Sequence, residues 1–160
     1  MVPYVFLVGY ILCVLILKRN GFDVKARCGS VFDFSILFIL FVFFAIRYEV
    51  AFDYSAYVTM IENGWYDSYA ETRYEYLSYW FMDIAYAEDN PQLFFILIAG
   101  VALPLYYYAL SRYTEIKDSY ICGILCYLAM PIGFMYSLSI SRQFAASAIL
   151  LYGTRYLIKR

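Results

Sequence analysis

Five stretches of apolar residues, separated by polar joints, set the organisation of the chain. They run from about Val2 to Leu17, Val31 to Ile46, Gln92 to Leu110, Tyr120 to Leu138 and Gln143 to Ile158. Each approaches the roughly 17–25 residues that a helix needs to cross a hydrocarbon core, the last at the short end. Lipid offers no water to hydrogen-bond the backbone, so runs of this length are satisfied there as helices. The expected fold class is all-α integral membrane, with about five transmembrane helices (2–17, 31–46, 92–110, 120–138 and 143–158) in a single domain. Pro104 and Pro131 fall inside the third and fourth runs and are expected to kink them.

Residues 47–91 break this pattern. Nine of the 13 acidic residues lie here (Glu49, Asp53, Glu62, Asp67, Glu71, Glu75, Asp83, Glu88 and Asp89), with both Trp residues and many Tyr. The segment is too apolar for disorder. Tyr54, Tyr57, Val58 and Ile61 repeat at the spacing of one helical face. Asp53 is expected to cap that helix and Asn63-Gly64 to end it. A second helix is expected from Thr72 to about Ala87, opened by the capping box Thr72…Glu75. Asn90-Pro91 then reads as the N-cap and first position of the next membrane helix. The segment is thus a loop with one or two interfacial amphipathic helices.

Composition fits lipid as the solvent. Of 160 residues, 64% are hydrophobic and 16% charged, against roughly 25% charged in a soluble domain. Net charge is −1 and the basic residues form no stripe, which argues against a nucleic-acid partner. The absence of His removes the commonest general base and metal ligand. Cys13, Cys122 and Cys126 sit in apolar runs and read as packing residues, with Cys28 in a basic loop, so no metal site is expected. The first helix has no basic start and no small-residue cleavage site, and reads as a retained anchor.

Charge sets the orientation. Lys18, Arg19, Lys25 and Arg27 make the first joint cytoplasmic, which puts the N-terminus and loop 47–91 outside. If residues 72–87 lie on the membrane, Arg112, Lys117, Arg155, Lys159 and Arg160 are also inside, nine of the 12 basic residues in all. If that helix crossed, only five would be inside, so the five-span arrangement is preferred.

Three arginines then remain outside: Arg47, Arg73 and Arg142. An arginine at a membrane boundary is costly and usually faces a partner or a cavity. Its planar fork suits phosphate or diphosphate. Pairing with Glu49, Asp53 or Glu75, or snorkelling to headgroups, explains the same positions without a ligand. Without His, Asp53 or Glu75 is the natural general base, although both are also explained as caps. Tyr54, Tyr57 and Trp80 are candidate sugar platforms, or members of an aromatic belt.

Three patches taken together resemble the EpsG family of bacterial membrane proteins. They are Arg47…Asp53-Tyr54…Tyr57 at the exit of the second helix, Glu75-Tyr76-Leu77, and Ser141-Arg142-Gln143-Phe144-Ala145 opening the last helix. The chain has Glu49 and Ala51 where the family usually has glycines. Family members also usually continue through further helices, so this chain is expected to be the N-terminal portion of a longer polymerase-like domain.

The family is similar to the Wzy-type polymerases of exopolysaccharide, capsule and O-antigen synthesis. The resemblance implies a glycosyltransferase of the bacterial cytoplasmic (inner) membrane. It would polymerise undecaprenyl-diphosphate-linked glycan on the outer face, without cofactor or metal. Arg47, Arg142 and Arg73 would hold the diphosphate, Asp53 or Glu75 would take the acceptor proton, and other polysaccharide assembly proteins would be partners. A flippase-type or assembly protein without enzymatic activity, and an inactive fragment, stay open as alternatives.

Overall fold

Helix α1 (Val2–Arg19) turns back through a two-residue antiparallel ladder, β1 (Lys25–Ala26) with β2 (Gly29–Ser30), into α2 (Val31–Ala45). Residues 2–20, 22, 25–26, 29–47, 53–67, 76–113 and 141–158 are described by the computed structural model. The Ser30 hydroxyl accepts from the Phe32 N–H at 3.2 Å and so caps α2. Two polar contacts tie the hairpin along its length. Tyr10 donates to Ser35 Oγ at 2.8 Å, and Lys18 Nζ lies 2.9 Å from Asp33 Oδ1 with both residues buried. Burying either charge alone would be very costly, so the pair fixes how α1 sits on α2.

Loop 47–91 carries α3 (Tyr54–Glu62) and α4 (Tyr76–Ala87). Asn63 and Gly64 end α3 as the sequence predicts. Gly64 takes φ +66°, its N–H bonds Ile61 O, and the Trp65 N–H reaches back to Met60 O, a Schellman cap. The same 6→1 closure ends α4, where Asn90 N bonds Ala85 O and Asp89 holds φ +50°. Asn90 Oδ1 then accepts from Gln92 N at 3.1 Å and starts α5 (Gln92–Tyr113). Tyr66 joins the two loop helices by donating to Asp83 Oδ1 at 3.1 Å, with Tyr79 and Tyr86 around its ring.

Helix α5 is the centre of the molecule. It packs on α2, on α4 and most extensively on α6 (Ser141–Ile158). Small buried residues on both partners, Ala99 and Ala102 of α5 with Ala145 and Ala148 of α6, permit close helix approach. Tyr106 stacks on Phe144 at 4.9 Å and its hydroxyl bonds Ser147. Phe94 and Phe95 are fully buried at the start of α5. Large apolar side chains meanwhile point outward from α1, α2 and α6, among them Phe6, Ile16, Phe38 and Leu150. A surface of that kind suits hydrocarbon better than water.

The fold is therefore helical, as the apolar pattern predicts. Pro104 is accommodated within one continuous α5. Among the described residues, α5 holds a window, Gln92–Ala109, of mean hydropathy 1.7, long and apolar enough to cross a membrane; α2 is a shorter apolar helix. The run at 120–138, with Pro131, Cys122 and Cys126, and the capping box Thr72…Glu75 lie outside the described residues.

Candidate functional site

The last carbonyls of α2 have no partner within their own helix. Gln92, at the start of α5, supplies one. Its side-chain amide donates to Ala45 O and, at 3.1 Å, to Arg47 O, while its Oε1 accepts from the Tyr54 hydroxyl at 3.2 Å. One side chain thereby joins the exit of α2 and the starts of α3 and α5. Tyr54 also stacks on Phe95 with centroids 5.1 Å apart.

Arg47 leaves this junction inward. Its residue is only 6% exposed, its Nη2 donates to the Ser141 hydroxyl 94 positions further along, and its guanidinium lies 4.1 Å above the Phe95 ring. The face of an aromatic ring and a hydroxyl compensate part of the lost hydration. Burial pushes the guanidinium down to about 10, against an opposing pull from Tyr57 and Tyr54, and it remains a cation at neutral pH.

Arg142 follows Ser141 on the first turn of α6. Its Nε donates to the Tyr57 hydroxyl at 3.0 Å, and its Cζ lies 5.5 Å from the centre of that ring. Tyr57 is itself buried, packed against Phe94 and Phe95. Unlike Arg47, Arg142 borders open space. A pocket of about 360 Å³ lies between the first turns of α4 and α6, lined by Tyr76, Leu77 and Ser78 from one and by Arg142, Gln143 and Ala146 among others from the second.

Four of the residues singled out in the sequence, Arg47, Arg142, Tyr54 and Tyr57, thus meet at one junction of α2, α3, α5 and α6. Tyr57 contributes its hydroxyl there, since a ring 3% exposed is packing and not a sugar platform. Trp80 lies on α4, exposed and stacked on Phe81 at 5.8 Å. Asp53 occupies the N-cap position of α3 but makes no capping bond, which corrects its expected role. Its backbone is helical (φ −92°, ψ −3°) where a capping residue is usually extended. Arg73, Glu75 and Glu49 lie outside the described residues. No group of three or more potential metal ligands occurs among the described residues.

Sequence reasoning passed over Ser141 and Gln92. Both are polar residues opening apolar helices, and the cost of such a residue in lipid is the signal that marks them.

The EpsG family matches residues 30–160. The chain belongs to the EpsG family. The match begins at the Ser30 cap of α2 and takes in every residue of the arginine junction, while α1 precedes it. EpsG proteins are membrane proteins, in keeping with the apolar α5. No curated protein and no solved structure matches the chain.

Proposed function

We propose that this EpsG protein polymerises polyprenyl-diphosphate-linked glycan units at the outer face of the bacterial cytoplasmic membrane. The observation that carries the reading is the meeting of Arg47 and Arg142 at one junction, with Arg142 on an open pocket. Two arginines from distant sequence positions place positive charge and planar donor forks at one site, an arrangement that suits an anion. A diphosphate leaving group supplies that anion as its charge develops.

In the proposed reaction, an acceptor sugar hydroxyl attacks the anomeric carbon of the donor glycan. The new glycosidic bond forms as the bond to the diphosphate breaks, and the diphosphate departs with the electron pair. Asp53 or Glu75 receives the hydroxyl proton. Arg142, with Arg47 behind it and Arg73 from the loop, holds the diphosphate; Trp80 and Tyr54 offer aromatic surface to sugar rings.

The orientation belongs to the same proposal. Lys18, Arg19 and the C-terminal ends of α5 and α6 lie at the end of the bundle away from the arginine junction. That end is placed in the cytoplasm, with the N-terminus outside and five spans in all.

The test is lengthening of lipid-linked repeat units by the protein reconstituted in liposomes. The expected result is a glycan ladder that Arg142→Ala reduces at least tenfold. Movement of the lipid-linked unit across the bilayer without lengthening would instead establish a flippase.

A further inference from the structure

The pocket beside Arg142 has a lining that changes character along its length. On α6 it is bordered by Arg142, Ala145, Ala146 and Ile149, positions that fall on one helical stripe. Seven residues of helix span about 10 Å, so the wall passes from a cation to aliphatic carbon within two turns. Leu77 of α4 supplies an apolar side chain opposite, and the polar groups Gln143 and Ser78 border the same space. Two successive alanines, Ala145 and Ala146, contribute only methyl groups to this part of the wall. At the far end of the lining Ile149 is 46% exposed, and Leu150 next to it 69%, so the stripe opens onto whatever surrounds α6.

We propose that this pocket seats the head-proximal segment of a single polyprenyl chain, with the attached diphosphate at Arg142. The assignment rests on the polymerase reading and adds to it the place where the lipid half of the substrate sits. A soluble sugar phosphate would leave the alanine and isoleucine wall unused. A diacyl lipid carries two chains, whereas α6 offers the pocket a single stripe at positions 142, 145, 146 and 149. The volume, near the lower end of the range for ligand pockets, suits part of a chain and not a whole glycolipid. The Tyr57 hydroxyl accepts from Arg142 Nε at 3.0 Å, so the cation is held beside the pocket before the lipid arrives.

The experiment is photolabelling of the full chain in nanodiscs with a polyprenyl diphosphate carrying a diazirine in a head-proximal isoprene unit. Label is expected within 76–78 and 142–150, removed by excess unlabelled polyprenyl diphosphate and retained in equal excess of inorganic diphosphate or phosphatidylglycerol. Ala146→Trp is expected to lower labelling at least tenfold. Should that variant fail to fold, a photoreactive residue at exposed Ile149 in the otherwise unchanged chain is expected to capture the unlabelled lipid. Label mapping elsewhere, equal competition by phosphatidylglycerol, or no capture at Ile149 would overturn the pocket assignment. Glycan lengthening in the same preparations reports separately on the polymerase, so failure of one is distinguishable from failure of the other.

Discussion

Arg47 and Arg142 carry the same charge, yet the fold gives them different work. Arg47 is enclosed by Phe95 and Ser141, and its main-chain carbonyl is held by Gln92. Arg142 lines the pocket and donates to the Tyr57 hydroxyl. Lysine at each position separates these uses, because it keeps the charge but loses the planar fork and the Nε donor. Arg142→Lys is expected to leave thermal unfolding within a few degrees of the parent while lowering glycan lengthening at least tenfold. Arg47→Lys is expected to cost about 1–3 kcal/mol of stability, since it strands the buried Ser141 hydroxyl and empties the space over Phe95. Differential scanning of the two variants in the same detergent, beside the lengthening assay, checks both.

At the scale of elements, loop 47–91 is held by local chemistry that the sequence states openly. Asn63-Gly64 and Asn90-Pro91 act where their turn and cap preferences place them. Tyr66, just beyond α3, bonds Asp83 of α4, a contact that nothing in the local pattern singles out because the two residues are 17 apart. Burial, and then the bond to Asp83, push the Tyr66 phenol up to about 12. Tyr79 is raised in the same direction, first by its bond to Asp67. The folded state thus keeps the Tyr66 proton where the unfolded chain, titrating near 10, would release it. That contribution to stability is complete below about pH 10 and is lost as pH rises to about 12. Tyr66→Phe is expected to flatten this alkaline fall, read as protease sensitivity of the α3–α4 segment between pH 9 and 12.

At the scale of the whole molecule, two groups of buried charge among the described residues stand at opposite ends of α2. The arginine junction occupies one, and the buried Lys18–Asp33 pair the other, where Tyr107 of α5 also approaches. Lys18→Met alone is expected to destabilise by about 3–5 kcal/mol, because it leaves Asp33 buried without its cation. Lys18→Met with Asp33→Leu is expected to recover most of that loss. Since this pair is remote from Arg142, the recovered double variant is also expected to lengthen glycan normally. Thermal unfolding and the lengthening assay on the three proteins test both statements.

The apolar runs that form α1, α2, α5 and α6, and the caps at Asn63, Gly64 and Asn90, were legible in the chain because each depends on neighbours within a few residues. Arg47 and Arg142 stood out as well, because an arginine beside an apolar run is conspicuous by its cost. Their partners were not legible. Ser141 is bonded across 94 positions, and Gln92 reaches back 47 to Ala45, so only packing could bring them together. The division of labour between the two arginines was decided there as well. It depends on which guanidinium the assembled helices enclose and which they leave at the pocket.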